Sequence, residues 1–124
     1  MLPRLARLTR FFALVLPVVF VGACSLREQA DAKFGDQHFK TAIALIELYH
    51  VRHGAYPDAL SDLDFTGDWD QIAINSVEYK RLPTGYELNL TRGWIGRADL
   101  TYPPDFWRGL GIRRSNVQGL PPAT

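Results

Sequence analysis

The chain has 124 residues, of which 47% are hydrophobic and 22% charged, and its formal net charge is +1. That composition belongs to one small globular domain and excludes a disordered or fibrous chain. With a single cysteine, no disulfide can form within the chain.

In chain order, Arg4, Arg7 and Arg10 precede an apolar run from Phe11 to Ala23, and no acidic residue occurs before Glu28. This is the pattern of a secretory signal peptide, and the run is short for a membrane span of roughly 20 residues. At its end, Val21-Gly22-Ala23-Cys24 resembles the lipobox of bacterial lipoproteins: an aliphatic residue, two small residues, then the cysteine. The resemblance implies cleavage before Cys24 and attachment of palmitate-bearing lipid to its thiol, so the first partner is a membrane reached through a lipid anchor. Ser25 stands where an aspartate retains similar lipoproteins in the inner membrane, which implies an outer-membrane location facing the periplasm. A plain signal peptide cleaved after Ala23 and an uncleaved anchor are the alternatives. Three of the basic residues lie before Cys24, so the chain beyond it is slightly acidic and is not expected to bind nucleic acid. The expected division is a signal peptide over 1–23, a lipid-attachment segment and tether over 24–33 (or the first turns of a helix), a folded domain over 34–114 and a flexible tail over 115–124.

From Phe34 onward the spacing predicts an amphipathic helix. Phe34, Thr41/Ala42, Leu45 and Leu48/Tyr49 recur at helical intervals, while Lys33, Asp36, Gln37, Lys40, Glu47 and His50 lie mostly off that stripe. Gly54 is placed to end the helix in the left-handed conformation, with His50, Arg52 and His53 favoured by the dipole in the last turn. Pro57 prevents resumption. The pattern Tyr49, Gly54, Tyr56-Pro57, Leu60 and Leu63, after an Ala- and Ile-rich helix, resembles the helix-to-loop junction of type IV pilins and type II secretion pseudopilins. The resemblance spans roughly thirty residues and implies an α+β fold: an N-terminal amphipathic helix packed on a small antiparallel sheet of three to four strands. An ordinary helix-turn in some other α+β domain is the competing reading. The chain departs from pilin precursors in carrying Gly22 after the apolar run and no glutamate within it. A pilin-like domain on a lipid tether is therefore expected, with Tyr49, Tyr56 and Leu60 packed as one cluster at the helix exit.

Beyond Pro57 the chain turns acidic. Asp62, Asp64, Thr66, Gly67, Asp68 and Asp70 resemble the start of a calcium loop, but Ala73 stands where a bidentate glutamate is needed. A solvated acidic loop is the default, anchored to the core by Leu63, Phe65 and Trp69, with calcium at Asp62, Asp64, Asp68 and Asp70 as the alternative. Strands are expected over Ile72–Leu82, with a possible break at Asn75-Ser76, then Tyr86–Thr91 and Ala98–Tyr102, with a possible edge strand at Leu110–Ile112. Pro83-Thr84-Gly85 marks a hairpin between the first two.

Catalytic signatures do not emerge. His38, His50 and His53 lack metal-motif spacing, and Glu47 and Glu78 are not paired by any pattern. No enzymatic activity and no cofactor are expected. Trp69, Trp94 and Trp107 are candidates for core anchors or for a sugar- or peptide-binding platform. The expected function is an accessory of a secretion or pilus system that acts through contacts with envelope proteins. The alternative is a periplasm-facing ligand-binding lipoprotein using the acidic loop or the tryptophans.

Overall fold

A computed structural model of the chain describes residues 2–123, with side-chain surroundings from Cys24 onward. The fold is α+β: a long helix α1 (Leu2–His53), a short helix α2 (Asp68–Ile74) and a sheet of β1 (Val77–Arg81), β2 (Tyr86–Leu90) and β3 (Ile112–Arg114) in the order β1-β2-β3. The side chains of the expected signal segment, 1–21 and Ala23, lie outside the described ones. Residues 24–33 are helical, so α1 runs without interruption for about 78 Å at 1.5 Å per residue. Among the described residues no helix is long and apolar enough to cross a membrane.

Helix α1 stops where expected. Gly54 has φ +74°, and its N–H donates to the His50 carbonyl at 2.8 Å, the last bond of the helix. The face that α1 buries shares Ala42 with the predicted stripe but otherwise differs from it. Asp31, Gly35, Phe39, Ala42, Ile43 and Ile46 are buried, whereas Phe34 and Leu48 are exposed. The buried face is turned by about 100°, one residue's step, from the predicted stripe. Both stripes are apolar, so periodicity alone does not choose between them. The choice follows from what covers each: Tyr86, Leu88 and Leu90 of β2 pack with Phe39, Ile43 and Ile46 in one core, joined by Val77, Trp107, Ile112 and Val117.

Further expectations are corrected. Helix α2 occupies the start of the predicted strand Ile72–Leu82. Asp70 accepts the Gly67 N–H at 2.8 Å, and Asp68 and Asp70 complement the dipole in the first turn, which outweighs the β-propensity of Ile72 and Ile74. The turn ends at Ser76, whose hydroxyl donates to the Ile72 carbonyl at 2.7 Å, and β1 begins at Val77.

The sheet is mixed rather than antiparallel. β1 and β2 form the expected hairpin, with Val77 opposite Leu90 and Arg81 opposite Tyr86, but β3 runs parallel to β2. The expected strand Ala98–Tyr102 makes one isolated bridge, Thr101 to Gln118. A parallel neighbour needs a long crossover, and the irregular segment from Thr91 to Gly111, containing a 3-10 turn at Pro104–Trp107, supplies it. The side chain of Asn116 then prolongs the pairing: its Oδ1 accepts the Leu90 N–H and its Nδ2 donates to the Leu90 carbonyl, both at 2.8 Å. The expected tail is tied in as far as Leu120: Val117 is buried, Gln118 exchanges backbone bonds with Leu100 and Tyr102, and Leu120 packs on the core.

The 93–96 turn of the crossover is held to α1 by the carboxylate of Asp31. Asp31 Oδ1 accepts the backbone N–H groups of Trp94, Ile95 and Gly96 at 2.9, 2.7 and 2.9 Å. Burial pushes this carboxyl up, but the three N–H donors, with Arg27 nearby, hold it below the usual carboxylate value. Gly93 permits the approach: a Cβ there would lie 2.1 Å from the Asp31 carbonyl oxygen, a backbone atom that cannot swing aside. Gly93→Ala is expected to cost about 1–3 kcal/mol by overpacking, read as a lower urea midpoint. An unchanged midpoint would show that the loop is not seated on the helix.

Candidate functional site

The 93–96 loop and α2 stand on the same flank of α1, and between them they frame an apolar groove of about 360 Å³. Its walls are Phe34 and His38 from α1, Trp69 and Ile72 from α2, and Arg92 and Trp94 from the loop. Each element is positioned by a feature already described. The Asp31 clamp fixes the backbone of Trp94, the Asp70 cap fixes the start of α2, and the turn of α1 towards the sheet leaves Phe34 outside the core. Trp69 is 82% exposed, Trp94 53% and Phe34 40%.

His38 is the titratable group in the groove. Its ring stacks on Phe34 with centroids 6.2 Å apart. Burial lowers its pKa from 6.5, Arg92 lowers it further, and the Gly93 backbone opposes the shift. A neutral imidazole at pH 7 leaves Arg92 as the groove's cation, so the surface suits an apolar partner with at most a small negative character.

The tryptophans thus divide. Trp69 and Trp94 share the groove, whereas Trp107 is buried in the core, in edge contact with Phe39 at 6.1 Å and Phe106 at 5.3 Å. Trp69 and Phe65 do not anchor the acidic loop to the core: Phe65 is 88% exposed and lies beneath the Arg52 guanidinium. Anchoring fails because the loop is held by polar bonds instead. Asp62 accepts the Ala59 N–H at 3.2 Å, Asp64 pairs with His53 at 2.7 Å, and Asp70 caps α2. Asp62, Asp64 and Asp70 thus each bond a different group of the chain. Among the described residues no group of three or more His, Cys, Asp or Glu converges as a metal site.

At the helix exit, Tyr56 and Leu60 pack against the core and Pro57 is buried, while Tyr49 lies on the neighbouring flank, its ring 4.1 Å from that of His53. Tyr56 stacks on His50 at 4.1 Å and donates to Glu47 Oε2 at 3.0 Å. Glu47 also accepts the Tyr86 hydroxyl at 3.0 Å and the Gly111 N–H at 2.8 Å, so it ties three segments together. Glu78 on β1 is exposed and separate from it in the hydrogen bonding described. Cys24 is exposed on α1, ten residues before Phe34 at the groove.

Sequence reasoning singled out Trp69 and Trp94 but not their partners in the groove, because the lining comes from three segments and carries no recognisable motif. The available signal was Arg92-Gly93-Trp94-Ile95-Gly96, two large apolar residues bracketed by glycines in a turn. The chain matches no protein-family model, no curated protein and no solved structure.

Proposed function

We propose that the chain is a non-catalytic, lipid-anchored protein of the bacterial cell envelope that works through protein contacts made at the aromatic groove. In this reading Cys24 carries the lipid, the anchor holds the protein in the outer membrane facing the periplasm, and the domain is pilin- or pseudopilin-like, an accessory of a secretion or pilus system. The observation that carries the reading is the exposure of Phe34, Trp69, Ile72 and Trp94 around one groove, one wall of which is the helix that carries Cys24. Large aromatic side chains exposed together are characteristic of interaction surfaces.

Two measurements test it. Cys24→Ala is expected to abolish incorporation of labelled palmitate and to leave an unprocessed precursor, and equal labelling of both forms would refute the anchor. A photo-crosslinking amino acid in place of Trp94 is expected to give discrete protein adducts in cells. The size of the groove, about 360 Å³, also falls within the range of small-ligand sites. Saturable binding of a small sugar or peptide there, with no protein adduct, would favour the ligand-binding alternative.

A further inference from the structure

Among the described residues Phe65 alone combines a side chain with a positive φ, at +56°. That left-handed conformation is sterically costly for a bulky residue and persists where the surrounding chain imposes it. Its effect here is to hold an aromatic ring out in solvent. Phe65 is 88% exposed, more than any other large hydrophobic residue described. The Arg52 guanidinium lies 5.2 Å from the ring centroid, and the loop is tied down on either side by the Asp64–His53 pair and the Asp70 cap. The ring is a fixed knob.

Knob and aromatic groove share one flank of the molecule. Arg52 follows Phe34 by 18 residues, five full turns of α1, so the two stand on the same face about 27 Å apart. Phe34 lines the groove, and Arg52 covers the knob. A second copy, turned about a two-fold axis across α1, brings its knob to the first copy's groove and receives the first copy's knob in return. Such reciprocity is what an isologous contact requires. The charges agree with it: Arg92 in the groove and Asp68, three residues after the knob, make no ion pair among the described residues. Opposite charges therefore face each other across the contact.

We propose that the groove's partner is a second copy of this chain, in a closed pair where Phe65 of each copy enters the other's groove between Trp69 and Trp94. This rests on the reading of the groove as a protein-contact surface and names the partner. Aromatic anchors seated in a pocket are the residues that dominate binding at such contacts. A head-to-tail contact through the same parts would leave a free knob and a free groove at its ends and would grow without closing.

The first test places benzoylphenylalanine at position 65 of the full-length chain in cells, followed by irradiation. The expected product has twice the mass of the chain and joins position 65 to a peptide carrying Phe34, Trp69 or Trp94. Adducts to other proteins alone would overturn the pair and sustain the protein-contact reading. A ladder of higher multiples would overturn the closed arrangement. No adduct from position 65 would overturn the pair, and none from position 94 either would remove the reading beneath it. The second test co-purifies two differently tagged copies of the chain. Phe65→Gly suits the positive φ, and Trp94→Ser leaves the backbone bond to Asp31 in place, so both variants keep the fold. Each alone loses both contacts of the pair and is expected to reduce co-purification by roughly tenfold or more. One copy of each variant together retains one intact knob and one intact groove, so association should return in part. Association equal to the parent chain in either variant, or no recovery in the mixture, would overturn the exchange.

Discussion

Glu47→Ala is expected to lower stability on the order of 3–5 kcal/mol, a large share of what a small domain possesses. The carboxylate accepts from the Tyr86 hydroxyl, the Gly111 N–H and the Tyr56 hydroxyl, and so joins α1 to β2, to the approach of β3 and to the loop after Gly54. Tyr86 is fully buried and Gly111 is buried, so their donors would be left without an acceptor and without water. Tyr56 is half-buried, and its hydroxyl can turn to solvent. Glu47→Gln keeps an acceptor oxygen for Tyr86 and Gly111 and should cost only about 1 kcal/mol. Urea unfolding followed by near-ultraviolet circular dichroism measures both. Equal losses in the two variants would show that the charge, rather than the acceptor geometry, matters; no loss in either would remove Glu47 from the fold's support.

The same network sets an alkaline limit. Burial, then the hydrogen bond and charge of Glu47, push Tyr56 up to about 12 against the opposing charge of Arg113. Burial likewise takes Tyr79 to about 12, with Arg81 opposing and Asp58 adding. Tyr86 is raised further by burial and by Glu47. A tyrosine raised in the folded state holds its proton where the unfolded chain, near 10, has lost it. Its contribution is therefore complete below about pH 10 and disappears as pH climbs through about 12. Midpoints measured from pH 9 to 12 should fall over that window, and Tyr56→Phe should shallow the fall.

What could be read from the sequence follows from the range over which each signal acts. The Gly54 stop, the Pro83-Thr84-Gly85 hairpin and the alternation of Tyr86, Leu88 and Leu90 are local, and the structure has all three. The parallel strand β3 depends on a contact between Tyr86 and Ile112 and on an asparagine side chain standing in for backbone. No periodicity in a three-residue strand announces that. The Asp31 clamp was invisible for a similar reason: an aspartate in a polar segment reads as tether until the 93–96 loop is seen to close on it. At the site, exposed tryptophans and core tryptophans have the same sequence signature. Only tertiary packing separates Trp107 from Trp69 and Trp94.

The rotation of α1 yields the second large effect, because the two apolar stripes predict opposite outcomes for neighbouring phenylalanines. Phe39 is fully buried, with its ring stacked 6.0 Å from Tyr102 and set edge-on to Trp107 at 6.1 Å. Phe39→Ala should cost about 3–5 kcal/mol, the transfer of a ring from the core plus the cavity it leaves. Phe34 is 40% exposed and lines the groove, so Phe34→Ala should cost no more than about 1 kcal/mol. If the predicted stripe faced the sheet instead, the order would reverse, since Phe34 would be the core residue and Phe39 the marginal one. The pair also separates folding from function. Phe39→Ala should weaken every property of the domain together by unfolding it, whereas Phe34→Ala should leave the urea midpoint nearly intact and reduce crosslinking from position 94. Loss of crosslinking in step with loss of stability in both variants would mean that the groove is not a surface with its own role.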